Sequence, residues 1–289
     1  MVGTASAKIM EDGKRLHLQH GPIDIIAEAF GTDEEVEKAY FQGSAFFQSI
    51  LQDLVMDLDV LRAPVTRRPP RRLGAIATDM YDAASRFSEN RYVTPMAAVA
   101  GSVADAVLQA MGAGRQLHKL YVNNGGDIAL HLEGNALFKG GIVNNQDLPS
   151  VNANFELTAT DEVGGIATSG WRGRSLSPGI ADAVTVLAST AALADVAATI
   201  IAGDVIASDL SIIQRPAITV RDDTDLGDML VTTQVGKLKK ETCISALERG
   251  LNTAEKLKQA GLIHGAYLAL QNDVVSSTGM NKLLQKEVA

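Results

Sequence analysis

The sequence predicts a single α+β domain, a central and mostly antiparallel sheet flanked by helices. Three observations carry that expectation. Segments with alternating apolar positions cluster in the middle of the chain, helical patterns lie on both sides, and no shift in composition divides the 289 residues. Hydrophobic residues make up 46% and charged residues 21%, with only 4% aromatic. An aliphatic, small-residue core of that size can be buried, which excludes disorder for the bulk of the chain. A net charge of −8 argues against a nucleic-acid binder, which needs a basic face to displace counterions. The single cysteine, Cys243, excludes an intramolecular disulfide framework and a multi-cysteine zinc site. Met1 to Met10 has no apolar run of the signal-peptide kind. The longest apolar candidate, Ile180 to Ile206, is interrupted by Asp182, Asp195, Gly203 and Asp204, too often for a span of about 18 apolar residues. The expectation is a soluble, cytoplasmic protein without a membrane segment.

Taken in order, residues 14–29 read as two short strands around His20-Gly21-Pro22, with Leu16, Leu18, Ile23 and Ile25 at period-two positions. Thr32 followed by Asp33, Glu34 and Glu35 reads as the cap and first turn of a helix that runs toward Leu61, with a break at Gly43. Arg62 to Arg72 reads first as a solvated linker, with an anion contact as the sharper alternative. Ala75 to Glu89 is a helix, and Pro95 to Met111 a second one made mostly of small residues, with Thr94 as its cap. Its alanines, Gly101 and Ser102 bring the backbone close to whatever packs on it, a sheet or a ligand. Strands are predicted over 120–123, 127–132, 136–143, 154–160 and 183–187. An alanine-rich helix follows from Thr190 to about Ala202, then an irregular stretch over 204–234, a helix over 242–260 and a last strand over 265–271.

Three segments carry the candidate chemistry. Asn124-Gly125-Gly126-Asp127 ends a strand with two glycines, either a plain hairpin turn or a bend that turns its amides toward a polar ligand. Gly164 to Gly170 sets glycines around Thr168 and Ser169, in the manner of a phosphate-cradling loop or of a flexible surface loop. The lysine of a Walker A loop is missing, while Arg172 and Arg174 follow and can meet a pyrophosphate. Asp195 and Thr199 stand four apart on the alanine-rich helix and so share one face. Two hard oxygens suit a Mg²⁺ that keeps waters and takes further ligands from substrate phosphates; taken alone, the pair reads first as a dipole-stabilising aspartate and a threonine bonded to its own helix. Trp171 can stack on an aromatic ligand or pack over the loop. His17 and His20 read as exposed turn residues, His131 as pointing off the apolar face of its strand, and Cys243 as a core thiol.

In order and character these motifs resemble the ApbE-like superfamily, whose best-studied members are Mg²⁺-dependent FAD:protein FMN transferases. The family's strand end is matched by Asn124 to Asp127, its glycine–isoleucine–alanine–threonine–serine–glycine loop by Gly165 to Gly170, and its alanine–aspartate…threonine helix by Ala194, Asp195 and Thr199. The small-residue helix Ala97 to Asp105 resembles the one that lines the flavin site. The resemblance covers residues 94–203 within one ApbE-like domain over 1–289. It implies Mg²⁺ on Asp195, Thr199 and the Ala98 carbonyl. It also implies FAD contacted by Asn124, Gly125, Gly126, Asp127, Thr168, Ser169, Gly170 and Arg172. The implied partners are a flavin nucleotide and an acceptor protein whose threonine takes the FMN; no catalytic side chain is assigned. Two departures stand out: Ala100 occupies the place of the transferases' lysine, and Arg174 to Gly179 contains no histidine. The stretch Gly179 to Val186 instead resembles the short cytoplasmic branch of the superfamily, which is associated with sulfide assimilation or homocysteine formation. The alternative function is therefore an accessory or binding protein on the same scaffold.

Overall fold

The structure, a computed structural model, describes residues 4–89, 91–145, 150–278, 280 and 284–285. In chain order its elements begin with β1 (Ser6–Ile9), β2 (Leu16–His20), β3 (Ile23–Gly31), α1 (Asp33–Met56), α2 (Leu58–Leu61) and α3 (Ala75–Ser85). A 3-10 turn (Pro95–Ala98) leads into α4 (Val99–Gly112), followed by β4 (Leu117–Asn124), β5 (Asp127–Leu132), β6 (Leu137–Ile142), β7 (Ala153–Thr158) and β8 (Gly165–Ser169). Then come β9 (Ala183–Ala188), α5 (Ala191–Asp204), β10 (Ile212–Pro216), α6 (Ala217–Val220), β11 (Leu230–Val235), α7 (Lys240–Gln259), β12 (Gly265–Leu270), β13 (Asp273–Ser276) and β14 (Leu284–Gln285). This is the expected α+β class, with antiparallel strands and flanking helices. No helix among the described residues is long and apolar enough to cross a membrane.

The chain forms two compact units, the first made of Met1–Phe138, Thr158–Ala167 and Ser189–Asp195. Its strands lie in the order β1-β2-β3-β4-β5-β8, each antiparallel to its neighbour. Alternation puts Leu16, Leu18, Ile25, Ala27, Leu120, Val122 and Ala129 in the core. Helix α4 packs on β4 and β5 and against α1. The Thr32 hydroxyl caps α1 by accepting from the Glu35 amide, as the sequence predicts. Gly43 does not break the helix. A Cβ there would lie 2.5 Å from Met111 Cγ, so the glycine lets α1 and α4 approach, and the break falls at Asp57 instead. Thr94 likewise makes no capping bond through its side chain, because the 3-10 turn intervenes before α4.

The second unit holds Lys139–Leu157, Thr168–Ala188 and Val196–Ala289. In it β9, β12 and β13 form an antiparallel run, β7 lies between β6 and β14, and α7 packs on β12 and β13. The stretch over 204–234 is not irregular: β10 and β11 pair as an antiparallel ribbon with a bulge at Ile213/Gln214. The acids that follow Arg221 sit in its connection and mask the strand pattern on either side. Nor is β12 the last strand, since β13 returns against it.

Helix α5 starts against α4. A Cβ on Gly101 would fall 2.3 Å from the Ala191 carbonyl oxygen, and one on Gly165 would fall 2.1 Å from the Thr190 carbonyl carbon. Asp105 of α4 then accepts from the first amides of α5, Ala191 at 3.0 Å and Ala192 at 2.9 Å. Burial nevertheless pushes the Asp105 carboxyl up to about 6, against those two donors, with the Asp79 charge adding to the rise.

Two outcomes follow from this junction. Gly101→Ala and Gly165→Ala each force backbone apart and lower stability by about 2–4 kcal/mol in urea denaturation. The raised Asp105 stabilises the fold while it is neutral. Its contribution is complete below the unfolded value and is lost as pH rises from about 4 to about 6, a change of roughly 3 kcal/mol. Stability of Asp105→Asn measured across that range is correspondingly flatter than that of the wild type.

Candidate functional site

The close approach of α4 to α5 places one carboxylate in an unusual setting. Asp195, in the second turn of α5, accepts from the Gly101 amide through Oδ2 at 3.0 Å. One residue back, the Ala100 carbonyl accepts from Asn124 Nδ2 at 3.1 Å. Asn124 ends β4, is 7% exposed, and pairs with Asp127 across the turn. That turn is a two-residue hairpin, with φ of +65° at Gly125 and +112° at Gly126, conformations that side chains resist. The Gly126 amide already donates to Asn123 Oδ1 at 2.8 Å. The double glycine is therefore a hairpin, and its chemical consequence is to present Asn124 and Asp127 toward α4 and Asp195.

The Asp195 carboxyl is held well above the usual carboxylate range, first by burial, then by the Asp127 charge, with Asp105 adding to it. Bonds from the Gly101 and Ala100 backbone oppose the rise without cancelling it. A buried carboxyl raised further by a neighbouring carboxylate is an arrangement that a divalent cation relieves. The donor set fits Mg²⁺ in that sense. It does not form a closed cage, because no group of three or more metal-ligating side chains converges among the described residues. Ala98 is fully buried at the junction of the 3-10 turn with α4, two residues before Ala100. Thr199 lies one turn beyond Asp195 on the same helix; by compactness it belongs to the second unit.

The remaining candidates belong to the second unit and have local roles there. The expected loop over 164–170 is in fact strand β8. Its opening glycines admit the backbone of 189–191, with a Cβ on Gly164 falling 2.2 Å from the Ser189 oxygen, so sterics explain them before any anion does. Thr168 Oγ1 bonds Thr185 Oγ1 at 2.8 Å, Ser169 is half-buried, and Gly170 lies against the Asp182 carbonyl. Arg172 donates through Nε to Asp182 at 2.9 Å, and its guanidinium lies 4.3 Å from the centre of the Trp171 ring. Trp171 donates to the same Asp182 oxygen at 3.0 Å, while the Gln271 amide takes the other at 2.5 Å.

Two carboxylates escaped the sequence reading. Asp105 and Asp182 each stand alone in a small apolar run, Val-Ala-Asp-Ala-Val and Ile-Ala-Asp-Ala-Val. An acid so placed must find backbone or side-chain donors, and both do. The histidines at the first hairpin also depart from expectation. His20 is 1% exposed because it shares the inward face with Leu16 and Leu18, and neither ring nitrogen has a hydrogen-bond partner among the described residues. His17 faces outward and bonds Asp24 at 2.8 Å. His131 sits beside Glu133 off the apolar face, and Cys243 is a buried thiol raised by burial, both as expected. A cavity of about 320 Å³ lies at the far end of α4, beside Leu108, Arg115, Leu120 and His131, and includes none of the candidate residues.

Comparison with known proteins adds three findings. A UPF0280 protein of Methanopyrus kandleri is 34% identical over 167 residues, 57% of this chain and 65% of that protein. One from Methanococcus vannielii is 30% identical over 181 residues, 61% of this chain and 72% of that protein. The match thus spans slightly less than two thirds of the first of these relatives. The crystal structure of Pseudomonas stutzeri flavinyl transferase ApbE in its apo form aligns over 98% of this chain and 96% of that one. The TM-score is 0.50 at 14% identity, a likeness of fold. The model of the family described as AbpE bacteria matches residues 7–278, and the chain belongs to that family.

Proposed function

We propose that the protein binds a flavin dinucleotide together with Mg²⁺ and transfers FMN from FAD to a threonine hydroxyl of an acceptor protein. The observation that carries this reading is the Asp195 carboxylate on the Gly101 amide, with Asp127 and Asn124 brought to it by the Gly125-Gly126 hairpin. Asp195, with Thr199 one turn on and the Ala98 carbonyl, would hold the cation. When bound, the cation supplies charge neutralisation to the diphosphate. In the transfer the hydroxyl oxygen forms a bond to the FMN phosphorus, the bond to AMP breaks, and the hydroxyl proton leaves to solvent or base. Such a displacement depends on position and charge more than on a covalent role for the protein. The chain's own part is therefore to bind and orient. Asn124 fixes the hairpin to Ala100, and Gly101 fixes the ligating carboxylate. Thr168, Ser169, Gly170 and Arg172 belong to the same proposal as nucleotide contacts. For Arg172 this requires its guanidinium to serve the ligand while Nε stays on Asp182. We read the chain as one ApbE-like domain acting in the cytoplasm.

A second reading, an accessory or binding protein on the same scaffold with a role in sulfide assimilation or homocysteine formation, is favoured by one specific feature. Ala100 stands where the transferases carry lysine, so a cationic side chain is missing beside the carboxylates.

Asp195→Asn separates metal-assisted nucleotide binding from architecture. The amide keeps an acceptor for Gly101 and removes a carboxylate whose ionisation the fold disfavours. Its melting temperature at pH 8 should equal or exceed that of the wild type, because the cost of the raised group grows with pH. Titration of FAD with Mg²⁺ present, followed by flavin fluorescence, should show affinity reduced by at least about tenfold. Unchanged affinity would refute the site. Intact binding with no AMP released in the presence of acceptor would favour the second reading.

A further inference from the structure

Arginine-rich segments between helices are usually solvated, and solvation needs no fixed geometry. The segment over 62–74 is fixed at several points. Arg71 bonds both Asp57 and Asp59, and also the Met56 carbonyl at 3.0 Å. The Gly74 amide donates to the same Asp57 at 2.8 Å, so the end of the loop is held at two points by one carboxylate. Asp57 is 4% exposed and sits where α1 breaks into α2. Nearer the start, the Val65 amide donates to the Val93 carbonyl at 2.9 Å, and the Thr66 amide donates to the Tyr81 hydroxyl at 3.0 Å. Pro64, Pro69 and Pro70 lock their own φ angles between these anchors.

What this scaffold displays is positive charge. Arg67, Arg68 and Arg72 are exposed and have no acidic partner among the described residues, although the chain as a whole carries −8. At the end of α1, where the neighbouring Arg71 bonds the Met56 carbonyl, Val55 is 51% and Met56 71% exposed. A flexible methionine beside fixed cations suits an adaptable peptide contact. A polynucleotide would use the arginines and leave the apolar pair idle. An anionic membrane would meet the repulsion of the chain's net negative charge. A short acidic segment with interspersed apolar side chains matches both features and senses mainly the local patch, within a Debye length of about 8 Å at physiological salt.

We propose that the loop over 62–74, with Val55 and Met56, is a docking surface for an acidic, apolar-interspersed segment of a partner protein. The inference does not depend on the nucleotide reading, since it uses none of those residues. The test uses the full chain and a fluorescein-labelled peptide of about fifteen residues repeating Glu-Glu-Leu. Anisotropy should report saturable binding that weakens at least about fivefold when salt rises from roughly 50 to 300 mM. Combined Arg67→Glu, Arg68→Glu and Arg72→Glu should weaken it at least about tenfold; the milder glutamine triple should act in the same direction if charge reversal impairs folding. Met56→Ser should weaken the leucine-containing peptide about threefold, and a Glu-Glu-Gly peptide should be indifferent to it. Absence of saturation by the wild type at low salt, or binding by the glutamine triple within twofold of wild type, would overturn the proposal. Tighter binding of a poly-uridylate oligomer, or of vesicles of phosphatidylcholine with phosphatidylserine, would overturn the assignment of partner.

Discussion

The contact on which the first unit depends is the meeting of two backbones, Gly101 of α4 against the start of α5 at Ala191. It exists because Gly101 has no Cβ, which would lie 2.3 Å from the Ala191 carbonyl oxygen. From that contact the rest follows. The α5 amides fall within reach of Asp105, the Gly101 amide falls within reach of Asp195, and Ala100 is left to accept from Asn124. A helix of small residues is thus a means of bringing polar main-chain groups into a dry place where side-chain acids can use them.

Charge is distributed unevenly around that junction. Asp105 and Asp195 are both raised by burial, and Asp127 raises Asp195 further. Asp105 is matched by the two α5 amides it accepts from, whereas Asp195 is buried beside the half-exposed Asp127, a placement that costs stability when both are ionised. The cost is offset when something positive binds. Burial of this kind, combined with a specific charge partner, recurs at functional sites and also in structural charge networks.

Much of this was legible in the chain, and the reasons for the rest are physical. The alternation at Leu16, Leu18, Ile23 and Ile25, the Thr32 cap and the alanine-rich α5 are local signals, and local periodicity reads them. The Asn124-Gly125-Gly126-Asp127 hairpin was open to two readings because a tight turn and a ligand-facing bend use the same residues. The stretch over 164–170 misled because a glycine tolerated for close approach looks, in sequence, like a glycine selected for exposed amides. For Gly164 and Gly165 the Ser189 to Ala191 backbone distinguishes them, and for Gly170 the Asp182 backbone does. His20 was misread for a similar reason: turn composition suggested exposure, while its register put it on the inward face. Asp105 and Asp182 were legible as anomalies, single acids in small apolar runs, but their donors are supplied by distant segments.

The position of Asp105 bears on how an anion could be held near α5. A helix N-terminus is ordinarily an available anion site, because its first amides lack partners and its dipole points the right way. In α5 the first two amides are already committed to Asp105, at 3.0 and 2.9 Å. A diphosphate brought to this end of the helix would meet an occupied donor set and two further acids, Asp127 and Asp195. Direct binding by backbone amides is thereby disfavoured, and a bridging cation becomes the economical means of reversing the local sign of charge. Ala100, beside these acids, brings no side-chain cation of its own.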